Sequence, residues 1–567
     1  MYRDVLLEEP DNADALNLLG VVMQAAGDLE MAIELLTRAT ELTPDFFGSF
    51  ANLGNALQAS GRLDDAVDAF DTAIALNPDS METANNLASV YNELKRFDEA
   101  RTAAETALRL YPNFPEALVN KGNALAGLGN LIDAIGAYMS ALSLNPSHAG
   151  ALFNLGNAYA DQEQYEAAIA PYERAIAVDV GDADKHFNLA IALLRIDRFA
   201  AAVEAFETAL ALRPEHVDAL CNIASALQSL GRTDEAIERL RRAIAHQPDS
   251  PDLHWNLALA SLQHGDYEAG WREYEWRWQT PTFLAYRRDF QAPEWGGEDF
   301  QGRTLLIHTE QGFGDGIQFC RLASQAAKAG GRVVLECRPQ LTRLLGSLDG
   351  VVELFDLGAP LPTFDVQIPL MNLPRVLGLT LQTVPAEVPY LSVPDGVAVD
   401  SRIAEAAGLK VGLAWAGSPT RVDNSKRSCD LAQFAGLFEL PEVDFFSLQV
   451  GDARGQLETV RAAKNVVDLG QDFSDFADTA AAIQALDLVI SVDTSVLHLA
   501  GALGKPAWGL LSKPSGFLWM NDRQDSPWYP TIRLFRQPET GDWPMVFAKL
   551  RAALDDLAAK NRKKRFT

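Results

Sequence analysis

Gly20, Gly54, Ala88, Gly122, Gly156, Ala190, Ala224 and Ala258 stand 34 residues apart in an unbroken series. A period of this length requires a stack of similar supersecondary units, because one unit cannot bury its own apolar face and its neighbours supply the missing partner. The same phase holds for Ala32, Ala66, Ala100, Ala134, Ala168, Ala202 and Ala236, and for Pro10, Pro44, Pro78, Pro112, Pro146, Pro214 and Pro248, with Val180 interrupting the prolines. Within one unit, Ser49 to Ser60 and Leu63 to Leu76 carry helical apolar periodicity, Gly61-Arg62 makes the turn, and Asn77-Pro78 ends the second helix. Proline stops it because it lacks an N–H and crowds the preceding turn. The small residue lets the two helices approach, with Leu53, Leu87, Leu155, Leu189, Ile223 and Leu257 as core neighbours and Lys121 as the departure. Tyr2 to Glu9, running into Pro10, reads as a second helix with no first helix before it: a short cap, or part of a longer natural chain.

This Leu-Gly…Ala…Pro pattern resembles the tetratricopeptide repeat from residue 11 to about 280. The resemblance implies an all-α superhelix with a long concave surface over residues 1–280, in about eight repeats. Two residues before the small residue runs a second register, Asn52, Asn86, Asn120, Asn154, Asn188, Asn222 and Asn256. Asparagine is a mediocre helix former, so seven interior copies need a reason. Asn55, Asn123 and Asn157 share the face three residues on. The register is similar to the asparagine ladder of the eukaryotic O-GlcNAc transferases, which implies a row of amides holding the backbone of an extended acceptor polypeptide. Hydrogen bonding between neighbouring helices is the structural alternative.

A formal charge of −29 argues against nucleic acid as the main partner, since phosphate binding is driven by lysine and arginine. The basic tail Lys560, Arg562, Lys563, Lys564, Arg565 reads as a solvated end. Cys221, Cys320, Cys337 and Cys429 lack metal or redox spacing and fit reduced thiols. With no apolar run near the ~20 residues that span a bilayer and no signal peptide, the expectation is a soluble, cytoplasmic protein without membrane insertion.

After Gly265 comes an amphipathic stretch loaded with aromatics, Trp271, Tyr274, Trp276 and Trp278, predicted to bury against the next domain as a rigid joint. Pro281, Pro293 and Gly296-Gly297 mark a change of domain. Apolar runs then alternate with helices: Thr304 to His308, Arg332 to Cys337, Val351 to Phe355 and Asp365 to Pro369, and after Pro389, Lys410 to Gly417, Asp444 to Gln449, Leu486 to Asp493 and Pro506 to Leu511. Buried parallel strands with crossover helices give this pattern. The predicted fold class is therefore α + α/β: the helical array, then a Rossmann-like lobe over 281–400 on the acceptor side and a second over 401–567 on the donor side, the architecture called GT-B in nucleotide-sugar transferases.

Three strand-end segments carry candidate chemistry. The first, Thr309-Glu310-Gln311-Gly312-Phe313-Gly314-Asp315, is a glycine-rich strand-to-helix turn that exposes N–H groups. Its Gly314-Asp315 resembles the glycine-aspartate of bacterial heptosyltransferases. The resemblance implies a base at Asp315, with His308 and Glu310 as substitutes; a helix-capping aspartate is the alternative. The second, Trp415 to Ser428, offers Arg421, Lys426 and Arg427 to the phosphates of a departing nucleotide, or else as surface charges. The third, Asp493-Thr494-Ser495 with His498 and Gly504-Lys505-Pro506, opens a helix whose free N–H groups favour an anion. It resembles the heptosyltransferase donor signature, implying donor-sugar contact by Asp493, phosphate contact by Thr494, and a turn or donor role for His498; a cap and a packing histidine are the alternatives. Asp478 and Thr479 read as helix-setting, and Arg523, Asp525, Trp528 and Tyr529 as an interlobe lock.

No Asp-x-Asp or His/Cys cluster has metal spacing, so transfer without a metal or other cofactor is expected. The layout resembles O-GlcNAc transferases, the catalytic motifs heptosyltransferases, and the combination bacterial repeat-fused flagellin glycosyltransferases. These resemblances imply transfer of a sugar, such as a nonulosonic acid from a CMP donor, to Ser or Thr of a captured protein, with flagellin the first candidate. A non-catalytic adaptor or chaperone, or a transferase acting on lipopolysaccharide or another glycan, are the other readings.

Overall fold

The computed structural model describes residues 1–419, 424–521 and 523–566, apart from the side chains of 564–566. The chain forms two compact units, Met1–Asn222 and Ile223–Thr567.

The first unit is a run of antiparallel helix pairs, such as Phe47–Ala59 with Leu63–Leu76 and Pro115–Gly127 with Leu131–Leu144. The 34-residue series of small residues marks where the two helices of each pair meet. A methyl group on Gly54 would lie 2.7 Å from the Phe70 ring, on Gly122 2.4 Å from Tyr138, and on Gly156 2.5 Å from Tyr172. At position 88 the small residue is alanine and the residue 16 places on is Ala104; both are fully buried. Each turn is closed by a residue with left-handed backbone, Gly27, Gly61, Lys95, Gly129, Glu163 and Asp197 in phase. Glycine adopts this conformation without a Cβ penalty; the other three carry it.

The second unit contains the last repeat helices, Pro251–His264 and Tyr267–Glu273, together with two parallel sheets. The first comprises β1 (Thr304–His308), β2 (Arg332–Cys337), β3 (Val351–Asp356) and β4 (Val366–Pro369) in the order β3-β2-β1-β4. The second comprises β5 (Leu409–Ala414), β6 (Val443–Ser447), β7 (Val467–Asp468), β8 (Leu488–Val492), β9 (Ala507–Leu511) and β10 (Ile532–Arg536), ordered β10-β9-β8-β5-β6-β7. Counted from its own first strand this is 3-2-1-4-5-6, the order of dinucleotide-binding Rossmann sheets. The α + α/β class therefore holds. Eight of the strands coincide with predicted runs; β7 and β10, at opposite edges of the second sheet, were missed.

Of the aromatic stretch, Trp271 and Tyr274 are buried as expected, and Trp276 and Trp278 are half-buried. Trp271 packs edge-on against Tyr274, Phe319 and Phe517, and Trp528 Nε1 donates to the Tyr267 hydroxyl at 3.1 Å. One apolar core runs from Ala258 and Leu262 through both lobes to Leu534, so the last repeat belongs to the same compact unit as the sheets. A second core lies between the other face of β5 to β10 and the helix Trp543–Phe566. No described helix is long and apolar enough to cross a membrane.

Candidate functional site

In an open parallel sheet the chain leaves neighbouring strands in opposite directions at one place, opening a crevice at their carboxyl ends. In the second sheet that place lies between β5 and β8, which pair from Val411↔Leu488 to Ala414↔Ser491. The second and third sequence segments follow these strands and meet there. Arg427 Nη2 lies 2.6 Å from Asp493 Oδ2 and donates to the Asp493 carbonyl at 2.6 Å. Both side chains are largely buried, at 18% and 12% exposure, which strengthens the pair relative to one in water. Arg427 is therefore neither a plain surface charge nor an isolated cation: Asp493 holds its guanidinium at the strand ends. Lys426 is exposed beside it on the short helix Asn424–Arg427. Arg421 lies outside the described residues.

Gln449, which the sequence reading passed over, fixes the loop after β5. Its Oε1 accepts from Trp415 N and Ala416 N at 3.0 and 2.9 Å, and its Nε2 donates to the Ala416 carbonyl. A glutamine at the end of the Asp444 to Gln449 strand run was the available signal. Ser428 Oγ accepts from Gly417 N and donates to Asn424 Oδ1, folding the loop back on itself.

After β8, Thr494 is extended (φ −136°, ψ 172°) and precedes the helix Ser495–Ala502. Thr494 is the N-cap residue by its backbone, its carbonyl accepting from Leu497 N and His498 N, while its hydroxyl makes no capping bond and lies 3.0 Å from Ser491 Oγ. Ser495 is half-buried in the first turn. His498 is buried, stacked on Trp519 at 5.2 Å, with Nδ1 3.2 Å from the Tyr529 hydroxyl and Nε2 3.9 Å from Asp493 Oδ1. It is both a packing residue and a neighbour of the Asp493–Arg427 pair.

The first lobe meets this place through its glycine-rich turn. A methyl group on Gly314 would lie 3.0 Å from His498 Cδ2, so the helix Phe313–Phe319 seats directly on Ser495–Ala502. Asp315 Oδ2 accepts from Gly312 N at 3.2 Å, the reach-back of an N3 carboxylate to the start of its helix. The capping geometry is thus present, on a half-buried residue in the first turn of the helix whose Gly314 abuts His498. Gln311 Nε2 donates to the Tyr274 hydroxyl at 2.8 Å, which helps to fix this loop.

The two substitute bases are placed differently from expectation. His308, 3% exposed, lies 2.8 Å from Gln367 Oε1 beneath the Phe290 ring, and burial lowers its pKa from 6.5 to about 4. Such a ring is neutral and weakly basic at neutral pH, which counts against His308 as a general base. Glu310 is buried against Arg277, and desolvation raises its pKa.

Trp528 and Tyr529 join the lobes as expected, and their key partner is a residue the sequence did not single out. Arg321 donates to the carbonyls of Pro385 and Trp528, with its guanidinium 3.7 Å over the Tyr390 ring and 4.8 Å from that of Tyr529. Arg523 and Asp525 pair with each other inside their own loop. Asp478 ion-pairs with Arg343 of the first lobe at 2.5 Å, and Asp475 does so at 2.8 Å, a bridging role beyond helix-setting. Among the described residues no group of three or more His, Cys, Asp or Glu could hold a metal ion.

In the first unit the asparagine register makes a seam between repeats. Asn52 Nδ2 donates to Asn17 Oδ1, Asn86 to Asn55, Asn120 to Asn85, Asn154 to Asn123 and Asn188 to Asn157, at 2.7 to 3.0 Å. The Tyr138 and Tyr172 hydroxyls donate to Asn123 and Asn157 as well. Bonding between neighbouring helices is therefore present, and Asn120 donates to the Asn85 carbonyl as well. Asn222 instead donates to the Asp218 carbonyl, and Asn256 stands half-buried in the Pro251–His264 helix.

Tetratricopeptide repeat families match residues 13–46, 52–115, 119–183 and 193–262. The N-terminal region is built of tetratricopeptide repeats. Among curated proteins, protein FlbA of Caulobacter vibrioides is 27% identical over 332 residues, 53% of this chain and 54% of FlbA, so the chain spans about half the length of the relative it matches. Among solved structures, the Cut9-Hcn1 hetero-tetramer of the APC/C matches 40% of this chain and 45% of its own at 21% identity and a TM-score of 0.37. The Thermus thermophilus protein TTC0263 matches 32% of this chain and 98% of its own at 25% identity and a TM-score of 0.28. Tetratricopeptide repeats typically bind protein partners.

Proposed function

We propose that this chain is a glycosyltransferase that moves a sugar from a nucleotide-sugar donor to Ser or Thr of a polypeptide held by the repeats. The observation that carries the reading is the convergence of Arg427, Asp493 and the Ser495–Ala502 helix at the switch point of a 3-2-1-4-5-6 sheet, directly under the helix that bears Asp315. A growing negative charge on a departing phosphate is stabilised there by Arg427, Lys426 and the N–H groups at Ser495. The acceptor hydroxyl oxygen attacks the anomeric carbon as the carbon–oxygen bond to phosphate breaks. The hydroxyl proton passes to Asp315, and the nucleotide leaves with the bonding pair. This is an inverting single displacement without a metal.

On the repeats, Asn86, Asn154 and Asn188 each donate an N–H to an asparagine of the neighbouring repeat, and the oxygen of such an amide can accept from the N–H groups of an extended main chain. Flagellin as acceptor and a CMP-linked nonulosonic acid as donor follow from the family resemblance alone.

Asp315→Asn tests the mechanism, because asparagine keeps an oxygen for the Gly312 N–H and loses only the basic carboxylate. Intact-mass analysis of candidate acceptors should show the sugar with the native chain, in EDTA as without it, and none with the variant, while acceptor capture persists. Full transfer by the variant would reduce Asp315 to a cap. Calorimetric titration with UDP-, CMP- and ADP-sugars that found no donor binding would favour the adaptor.

A further inference from the structure

The first sheet has a switch point of its own, between β1 and β4, and its crevice is filled by the end of the repeat array. Two residues past β1 stands Glu310, and three past β4 stands Asn372. Arg277, in the 3-10 turn Tyr274–Gln279 that closes the last repeat, reaches both: Nη2 lies 3.0 Å from Glu310 Oε1 and donates to Asn372 Oδ1 at 2.5 Å. Arg277 is fully buried and the Glu310 side chain 2% exposed. The guanidinium packs on the rings of Tyr274 and Trp278 and donates to the Tyr274 carbonyl. Asn372 Nδ2 donates to Glu275 and Glu294, closing the network.

The position where a parallel sheet ordinarily meets an anionic ligand thus holds a cation and an aromatic ring belonging to the chain itself. Both contacts touch the same loop: Arg277 holds Glu310, and the Tyr274 hydroxyl accepts from Gln311, the next residue. Asp315 comes four residues later on the helix this loop begins.

We infer that Arg277 is a positioning residue, a tethered plug in the first switch point through which the last repeat sets the conformation of the Glu310–Asp315 turn. A buried Arg–Glu pair also contributes to the fold, and truncating one partner strands the other charge, so loss of stability alone does not distinguish positioning from structure. The distinction lies in whether loop order follows the guanidinium or follows stability.

Three proteins separate these: the full chain, Arg277→Ala, and Arg277→Met combined with Glu310→Gln, in which neither charge is left stranded. Hydrogen exchange of the 311–316 amides and the melting temperature are read in each, with and without 20 mM methylguanidinium and against equal methylammonium. Arg277→Ala should lower the melting temperature and speed loop exchange about tenfold or more, and methylguanidinium alone should restore both. The double variant should recover the melting temperature and keep the fast loop. Loop exchange that simply tracks melting temperature across all three proteins, or rescue by methylammonium as readily as by methylguanidinium, would overturn the inference.

Discussion

His308 supplies a pH signature that can be worked out from its surroundings. Its ring is enclosed at the end of β1 and its pKa in the folded chain is about 4, whereas an unfolded chain returns it to 6.5. Between these values the unfolded state binds the proton and the folded state does not, so local stability rises with pH across that window. The contribution is fully present above pH 6.5 and is lost as pH falls through 4. An interval of about 2.5 units corresponds to about 3 kcal/mol at ~1.4 kcal/mol per unit, most of it gone by about pH 4.5. Replacing His308 by Gln removes this titration while leaving Glu310 and the surface carboxylates to titrate in both proteins, so the difference between the two isolates the histidine. The assay is hydrogen exchange of the Leu305 to His308 amides at pH 7 and 4.5, corrected for intrinsic rates. In the native chain, protection should fall about 50- to 100-fold more than in His308→Gln. Equal pH slopes would refute the argument that burial holds this ring neutral. The same variant should keep transfer activity within about threefold, as befits a group whose basicity is too low to assist at neutral pH.

Other substitutions probe the repeat grammar and the second switch point. Gly122→Ala gains about 1 kcal/mol of helix propensity but drives a methyl into the Tyr138 ring, costing about 1–3 kcal/mol, so the helices Pro115–Gly127 and Leu131–Leu144 should lose exchange protection; increased protection would contradict the close-approach account. Glu163→Gly relieves a left-handed residue and should stabilise its repeat by about 0.5–1 kcal/mol in urea unfolding, while the same change at an interior helix position destabilises. A double-mutant cycle on Arg427→Gln and Asp493→Asn should give a coupling of about 1–3 kcal/mol, larger than an exposed pair because both groups are mostly buried; a value near zero would mean that they act independently.

Much of this fold was legible because its two halves write their periods plainly. The 34-residue series located the close approach within several helix pairs, since at Gly54, Gly122 and Gly156 an added methyl would overlap the aromatic ring 16 places on. Strands buried on both faces read as apolar runs, so eight of ten were found. The two-residue β7 is too short to carry a pattern, and β10 at the far edge alternates weakly. Strand-end segments could be nominated because a Rossmann-type sheet places its chemistry there, but partners distant in sequence could not. Nothing near Arg427 in the chain announces Asp493, 66 residues away, and nothing near Glu310 announces Arg277.

By itself the sequence determined the repeat class, the change to α/β grammar and which loops lie at the carboxyl ends of strands, because these depend on local periodicity and on residues that cannot be accommodated otherwise. The tertiary structure decided which of those loops meet and which charges are already spent. It made the asparagines a seam between repeats, neutralised His308, paired Arg427 with Asp493, and set an arginine of the last repeat into the first sheet's crevice. Burial and pairing depend on long-range packing, and the same side chain is a base, a plug or a cap according to what the fold places within 3 Å of it.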